Sequence, residues 1–167
     1  MKSTVKRIGI ILLASGVLAV ISNSVHPGKI PWVQSWSTYV EAKAGKAGIQ
    51  VIPLSAALQK FHVLDAAFID ARPTKEFVAG HIQGAVSVPF QSLEEQFPIL
   101  GSLLDSGKEL VVYCKNRECD DALLLATELQ AMGAENLTLY IDGFDVWREY
   151  GGATASSPAD SEATVPP

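Results

Sequence analysis

The chain has 167 residues, 13 Lys/Arg against 18 Asp/Glu, a formal net charge of −5 and 48% hydrophobic residues. That length leaves room for one domain of about 100 to 150 residues with flanking segments. From Asp65 to Tyr150 six basic side chains face fifteen acidic ones, which argues against nucleic acid or an anionic lipid surface as a partner of that region. Both cysteines of the chain lie in one short stretch, and no Cys/His cluster has zinc spacing, so neither a metal site nor an organic cofactor is implied.

Lys2, Lys6 and Arg7 precede an uncharged run of eighteen residues, Ile8 to Val25, rich in Ile, Leu, Val and Ala. The run is close to the minimum for a spanning helix and long for the apolar region of a signal peptide. Residues 1–25 are therefore expected to form a transmembrane anchor or a signal segment, with Ser22-Asn23-Ser24 as the cleavage site in the second case. The basic residues hold the N-terminus in the cytoplasm and send the rest across. In a bacterium this predicts a single-pass inner-membrane protein with its domain in the periplasm, or a periplasmic protein after cleavage. Residues 26–48 read as a linker. Trp32 and Trp36 fit either a membrane-interface belt or packing on the domain, and residues 41–48 are small and polar, as in a tether or a frayed helix.

Residues 49–150 alternate in type. Strands are expected at 49–53, 67–70, 85–88, 110–113 and 137–141, and helices at 55–61, 74–79, 91–104 with a break at Pro98, 122–132 and 144–150. Such alternation predicts a parallel sheet with crossover helices on both faces. Residues 151–167 carry Ala, Ser, Thr, Pro and acidic residues without an apolar period and are expected to be a disordered tail.

Within this frame the apolar strand 110–113 runs directly into Cys114, then a polar loop, then an apolar helix. A group at the C-terminal end of a parallel strand and ahead of a helix N-terminus occupies the place where α/β folds carry their ligands. The amides of Lys115, Asn116, Arg117, Glu118, Cys119 and Asp120 could curl around the sulfur as an anion cradle, and the nucleophilic form of cysteine is an anion. A free thiol of pKa about 8.5 is only about 3% thiolate at pH 7, and a helix dipole supplies about 0.3–1 kcal/mol, so the loop amides must provide most of the activation.

Four segments in order, Ile69-Asp-Ala-Arg72, Gly80-His-Ile-Gln-Gly-Ala-Val-Ser-Val-Pro89, Val112-Tyr-Cys114 and Gly143-Phe-Asp-Val-Trp147, resemble a rhodanese-like domain over residues 49–150. The flanking residues resemble the membrane-tethered versions of that domain. The resemblance implies an α/β fold with a five-stranded, mostly parallel sheet and helices on both faces. It implies a sulfurtransferase that takes sulfane sulfur from a small donor such as thiosulfate or a persulfide, holds it as a persulfide on Cys114, and passes it to a thiol or cyanide. Asp70 and Arg72 would be supporting structural residues that tie loops together, and His81 a hydrogen-bonded turn residue.

The loop departs from the common family pattern Cys-x-x-Gly-x-Arg-Ser. Here Arg117 stands at the glycine position, Cys119 at the basic one, and the loop reads Cys114-Lys-Asn-Arg-Glu-Cys119-Asp-Asp121. Glu118, Asp120 and Asp121 oppose a thiolate and repel a dianion, which weighs against thiosulfate as the natural donor; Lys115 and Arg117 favour it. Aspartate at 120 also weighs against phosphatase chemistry, which places an arginine there in relatives of the fold. Cys119 opens two alternatives. The pair could do dithiol redox work, or the domain could be a non-catalytic recruitment module, with a structural disulfide as the plainest use of the pair.

Overall fold

The computed structural model describes residues 2–26, 36–64 and 66–157 of the chain. It falls into two units, Met1–Gln34 and Ser35–Pro167. The first contains helix α1, Lys2–Val25. Its stretch Thr4–Val25 has a mean hydropathy of 2.2 and is long and apolar enough to be a membrane span or a signal sequence.

The second unit starts with α2, Trp36–Lys46, where the sequence predicts a linker. Val40 and Ala44, four residues apart on one helix face, are 1% and 0% exposed and belong to the domain core. The small alanines that make the segment look like a tether let the helix lie close against its neighbours. Trp32 lies outside the described residues, as does the side chain of Trp36.

There follow β1 (Gln50–Ile52), α3 (Leu54–Val63), β2 (Ala66–Asp70), α4 (Thr74–Ala79), β3 (His81–Ile82) and β4 (Val86–Ser87). After a 3-10 helix, Phe90–Gln96, come α5 (Phe97–Asp105), β5 (Glu109–Tyr113), α6 (Asp121–Ala131), β6 (Leu137–Tyr140), α7 (Gly143–Glu149) and β7 (Thr154–Ala155). Pro98 does not break a helix here. It sits in the first turn of α5, where its missing N–H has no intrahelical partner to lose.

Five strands form one parallel sheet in the order β1-β6-β5-β2-β4. The predicted α/β architecture is therefore the observed one. β5 lies at the centre, apolar from Leu110 to Tyr113 because both faces are covered there. Its residues alternate between two cores. Leu110, Val112 and Cys114 join the cluster with Val40, Leu125 and Leu129, whereas Val111 and Tyr113 join Phe68, Phe144 and Trp147. Trp147 is fully buried, edge-on to Phe61 with ring centroids 5.3 Å apart.

The disordered tail expected from residue 151 is corrected over its first part. β7 pairs antiparallel with β3, His81 opposite Ala155 and Ile82 opposite Thr154. The Ala153 carbonyl accepts hydrogen bonds from the Gln83 amide (3.1 Å) and the Trp147 indole (3.0 Å). A strand of two residues has no period for the sequence to display. Residues 158–167 of that expected tail lie outside the described residues.

Candidate functional site

Cys114 follows the last residue of β5 and is 3% exposed. The chain leaves the sheet at this point, and α7 holds the exit. The amides of Phe144 and Asp145, at the start of α7, donate to the carbonyls of Cys114 and Lys115 at 2.9 and 3.0 Å. That approach depends on Gly143, whose φ is +75° and where a Cβ would stand 2.6 Å from the Lys115 backbone.

The loop itself is tightly turned. The Asn116 carbonyl accepts from the Cys119 amide at 3.2 Å, and its side-chain oxygen accepts from the Glu118 amide at 3.0 Å, an Asx-type turn. Two of the amides expected to cradle an anion are thus engaged within the loop, because an asparagine two or three residues ahead captures them. Arg117, at the usual glycine position, donates from Nε to Asp142 Oδ1 at 2.6 Å and lies 3.8 Å from Glu41 of α2. Asp142 Oδ2 accepts from the Leu54 amide at 2.7 Å, so one carboxylate joins the loop to the start of α3. Lys115, Glu118 and Asp120 are exposed residues. The turn brings Cys119 back to Cys114, their Cα atoms 6.1 Å apart, and the two are joined as a disulfide.

Asp121, the first residue of α6, completes the group. One of its carboxylate oxygens and the two sulfurs all lie within 4.8 Å of one another. Burial, and then repulsion from Asp120 and Glu76, raises the Asp121 carboxyl above its ordinary value. Among the described residues this trio offers three potential metal donors, but two sulfurs shared in a disulfide are not thiolate ligands.

Asp70 and Arg72 are placed as expected, at the end of β2. Arg72 donates from Nε and Nη2 to the Asp70 carboxylate at 2.9 and 2.6 Å, and from Nη2 to the Gly80 carbonyl at 2.8 Å. Its guanidinium lies 4.2 Å from the Phe144 ring centroid. Burial alone would lower the Arg72 pKa, but the hydrogen bonds and charge of Asp70 outweigh it and leave it raised. The Tyr113 hydroxyl, pushed up by burial and then by Asp70, accepts from the Ile82 amide at 3.2 Å. Tyr113 therefore faces away from Cys114, into the opposite core. His81, expected as a turn residue, is instead the first residue of β3; it is 6% exposed, donates from Nδ1 to the Phe77 carbonyl at 2.8 Å and stacks on the Phe77 ring.

Two hollows meet along Arg72, Glu76 and Lys115. The larger, about 640 Å³, is bounded by α7 and by β7 and contains neither cysteine. The smaller, about 360 Å³, is lined by both cysteines, Asn116, Glu118, Gln91 and Asp121. Of the two, only the smaller contains the sulfurs. Asp142 and Glu41, which position the loop through Arg117, are the site residues that sequence reasoning missed. Their one local signal is Asp142 directly before the glycine that starts α7.

A family model described as a rhodanese-like domain matches residues 54–150. The HTH-type transcriptional regulator Rv0324 of Mycobacterium tuberculosis is 28% identical over 104 residues, covering 60% of this chain and 40% of that protein. The chain thus spans less than half the length of that curated relative. The solution NMR structure of the rhodanese-like domain from the Anabaena sp Alr3790 protein superposes with a TM-score of 0.51 at 21% identity, covering 66% of this chain and 86% of that one. The crystal structure of thiosulfate sulfurtransferase from Pseudomonas aeruginosa gives 0.55 at 18% identity, over 73% of this chain and 23% of that one. At such identities the likeness to solved structures is one of fold.

Proposed function

Because the chain belongs to the rhodanese-like domain family, we propose that it is a sulfurtransferase in which Cys114 carries sulfane sulfur as a persulfide and hands it to a thiol acceptor. The observation that supports this reading is the position of Cys114, buried at the C-terminal end of the central strand and lining a hollow large enough for a small sulfur donor. The Cys114 thiolate attacks the outer sulfur of a persulfide donor, the donor's sulfur–sulfur bond breaks, and the donor leaves as its thiolate while Cys114 keeps the sulfur as a persulfide. An acceptor thiolate then removes that sulfur, restoring Cys114. Lys115 and Arg72 bring positive charge to the rim of the hollow, while Glu76, Glu118 and Asp121 make it poorly suited to a dianion. A persulfide of a thiol is accordingly a better donor than thiosulfate.

A second reading, dithiol redox work by Cys114 and Cys119, is favoured by their disulfide. We also propose that residues 1–25 tether the domain to the inner membrane on its periplasmic side, with Lys2, Lys6 and Arg7 retained in the cytoplasm.

The test is the intact mass of the full chain in detergent, reduced, freed of reductant and exposed to glutathione persulfide. Cys119→Ser should gain one sulfur that cyanide removes, and Cys114→Ala should gain none. Absence of sulfur on Cys119→Ser would overturn the carrier assignment and leave the redox reading.

A further inference from the structure

Sulfur carriage by Cys114 alone has no use for Cys119 or for Asp121. Yet Cys119 lies within bonding range of the Cys114 sulfur, and Asp121 holds a carboxylate oxygen within 4.8 Å of both sulfurs. A persulfide formed on Cys114 would have this second thiol beside its inner sulfur and this carboxyl within 4.8 Å of that same sulfur, one bond from the outer one. Building on the carrier reading, we propose that Cys119 discharges the sulfur loaded on Cys114 as hydrosulfide, with Asp121 giving the leaving sulfur its proton.

Atoms and electrons balance as follows. Cys119, having lost its proton to solvent, attacks Sγ of Cys114. The bond from that Sγ to the outer sulfur breaks, and the outer sulfur keeps the electron pair. The Asp121 carboxylic acid transfers its proton to that sulfur, which leaves as HS⁻, and Asp121 remains as carboxylate. The outer sulfur is reduced, the two cysteines are oxidised, and the Cys114–Cys119 disulfide is the product. A further turnover requires two electrons from an external dithiol, which enters by exchange at the disulfide.

The proton is what makes the step feasible. An anionic persulfide attacked at its inner sulfur would have to expel S²⁻, whereas exchange is faster the more acidic the conjugate acid of the leaving group. Burial and the groups around Asp121 favour its protonated form. Asp120 on the loop and Glu76 on α4 repel its charge, and Glu118 lines the same hollow; Lys115 and Arg72 are the cations facing that space. Arg72 is already bound to Asp70 and the Gly80 carbonyl, and Lys115 is an exposed residue. Asp121 is thus placed as a proton donor rather than a charge partner.

The experiment uses the full chain in detergent, reduced, freed of reductant and given glutathione persulfide, with sulfide counted above the Cys114→Ala background. The native chain should release about one sulfide per chain and end two hydrogens lighter, while Cys119→Ser holds its added sulfur and releases none. Asp121→Asn should slow release by about 10²-fold, in the range of a lost general acid. It should also remove the decline in rate as pH rises through the Asp121 titration. Release is normalised to the sulfur taken up by Asp121→Asn/Cys119→Ser, which also checks that the hollow is intact. A native chain that keeps its sulfur, or a Cys119→Ser chain that releases sulfide equally fast, would overturn the discharge. An Asp121→Asn chain with unchanged rate and pH profile would remove Asp121 from it. If Cys119→Ser takes up no sulfur, the carrier reading itself fails.

Discussion

Arg72, on the wall of the cysteine hollow, and Arg117, within the cysteine loop, each meet an aspartate at 2.6 Å, yet they do different jobs. The Arg72 side chain is 4% exposed and is held by Asp70 and a carbonyl, whereas that of Arg117 is 42% exposed and shared between Asp142 and Glu41. The contact distance is the same; the surroundings are not. A charge pair out of water must stay complete, because either partner alone is stranded. A pair at the surface can open and be solvated at little cost. One pair is therefore fixed by burial, and the other is free to open.

Asp70→Asn breaks the fixed side and should have the largest effect, a loss of about 3–5 kcal/mol in stability by urea unfolding. A loss below about 1 kcal/mol would mean that Glu76 and the Gly80 carbonyl satisfy Arg72 unaided. On the movable side, Arg117→Ala should change stability by no more than about 1 kcal/mol. The freed loop should, however, let dithiothreitol reduce the Cys114–Cys119 disulfide faster, by up to about fivefold for that energy. Unchanged reduction would show that Asn116 and α7 hold the loop by themselves.

The smallest expected effect lies between the two arginines. The folded chain holds the Asp121 proton to higher pH than the unfolded chain does. Between those two pKa values the folded state binds more protons, so stability falls as pH rises through that window. Asp121→Asn should flatten that part of the profile and be the more stable form above it. Glu109 has the opposite sign. Burial pushes it up, but the hydrogen bonds from Lys60 and Thr138 more than offset this and leave it lowered. Its contribution is present above its unfolded pKa and lost as pH falls through the folded one. Thermal unfolding across mildly acidic pH, with Asp121→Asn and Glu109→Gln beside the native chain, separates the two.

Much of this arrangement was legible in the sequence. Leu110 to Tyr113 is apolar on both faces, which only a central buried strand requires, and that fixes where Cys114 emerges. Asp70 and Arg72 could be placed because their ties are local. What escaped was set by tertiary contact. Glu41 and Asp142 converge on Arg117 from segments 76 and 25 residues away, and the place of Asp142 ahead of Gly143 does not by itself reveal that partner. The engagement of the Glu118 and Cys119 amides follows from Asn116, whose turn-forming habit was outweighed by the expectation of an open cradle. Val40 and Ala44 were hidden among small polar neighbours, where one valine and scattered alanines make no convincing stripe.

The packing of α2 also bears on where the chain can be cut. A fragment begun at Ile49, the boundary suggested by the strand pattern, would lose Val40 and Ala44 and open an apolar seam along Ile49, Leu125 and Leu129. Val40 by itself accounts for about 1.5–3 kcal/mol of burial, a sizeable share of what a domain of this size has to spare. A well-behaved soluble piece must begin ahead of Trp36. Shorter versions should precipitate or be cleared by proteases, and their inactivity would say nothing about Cys114.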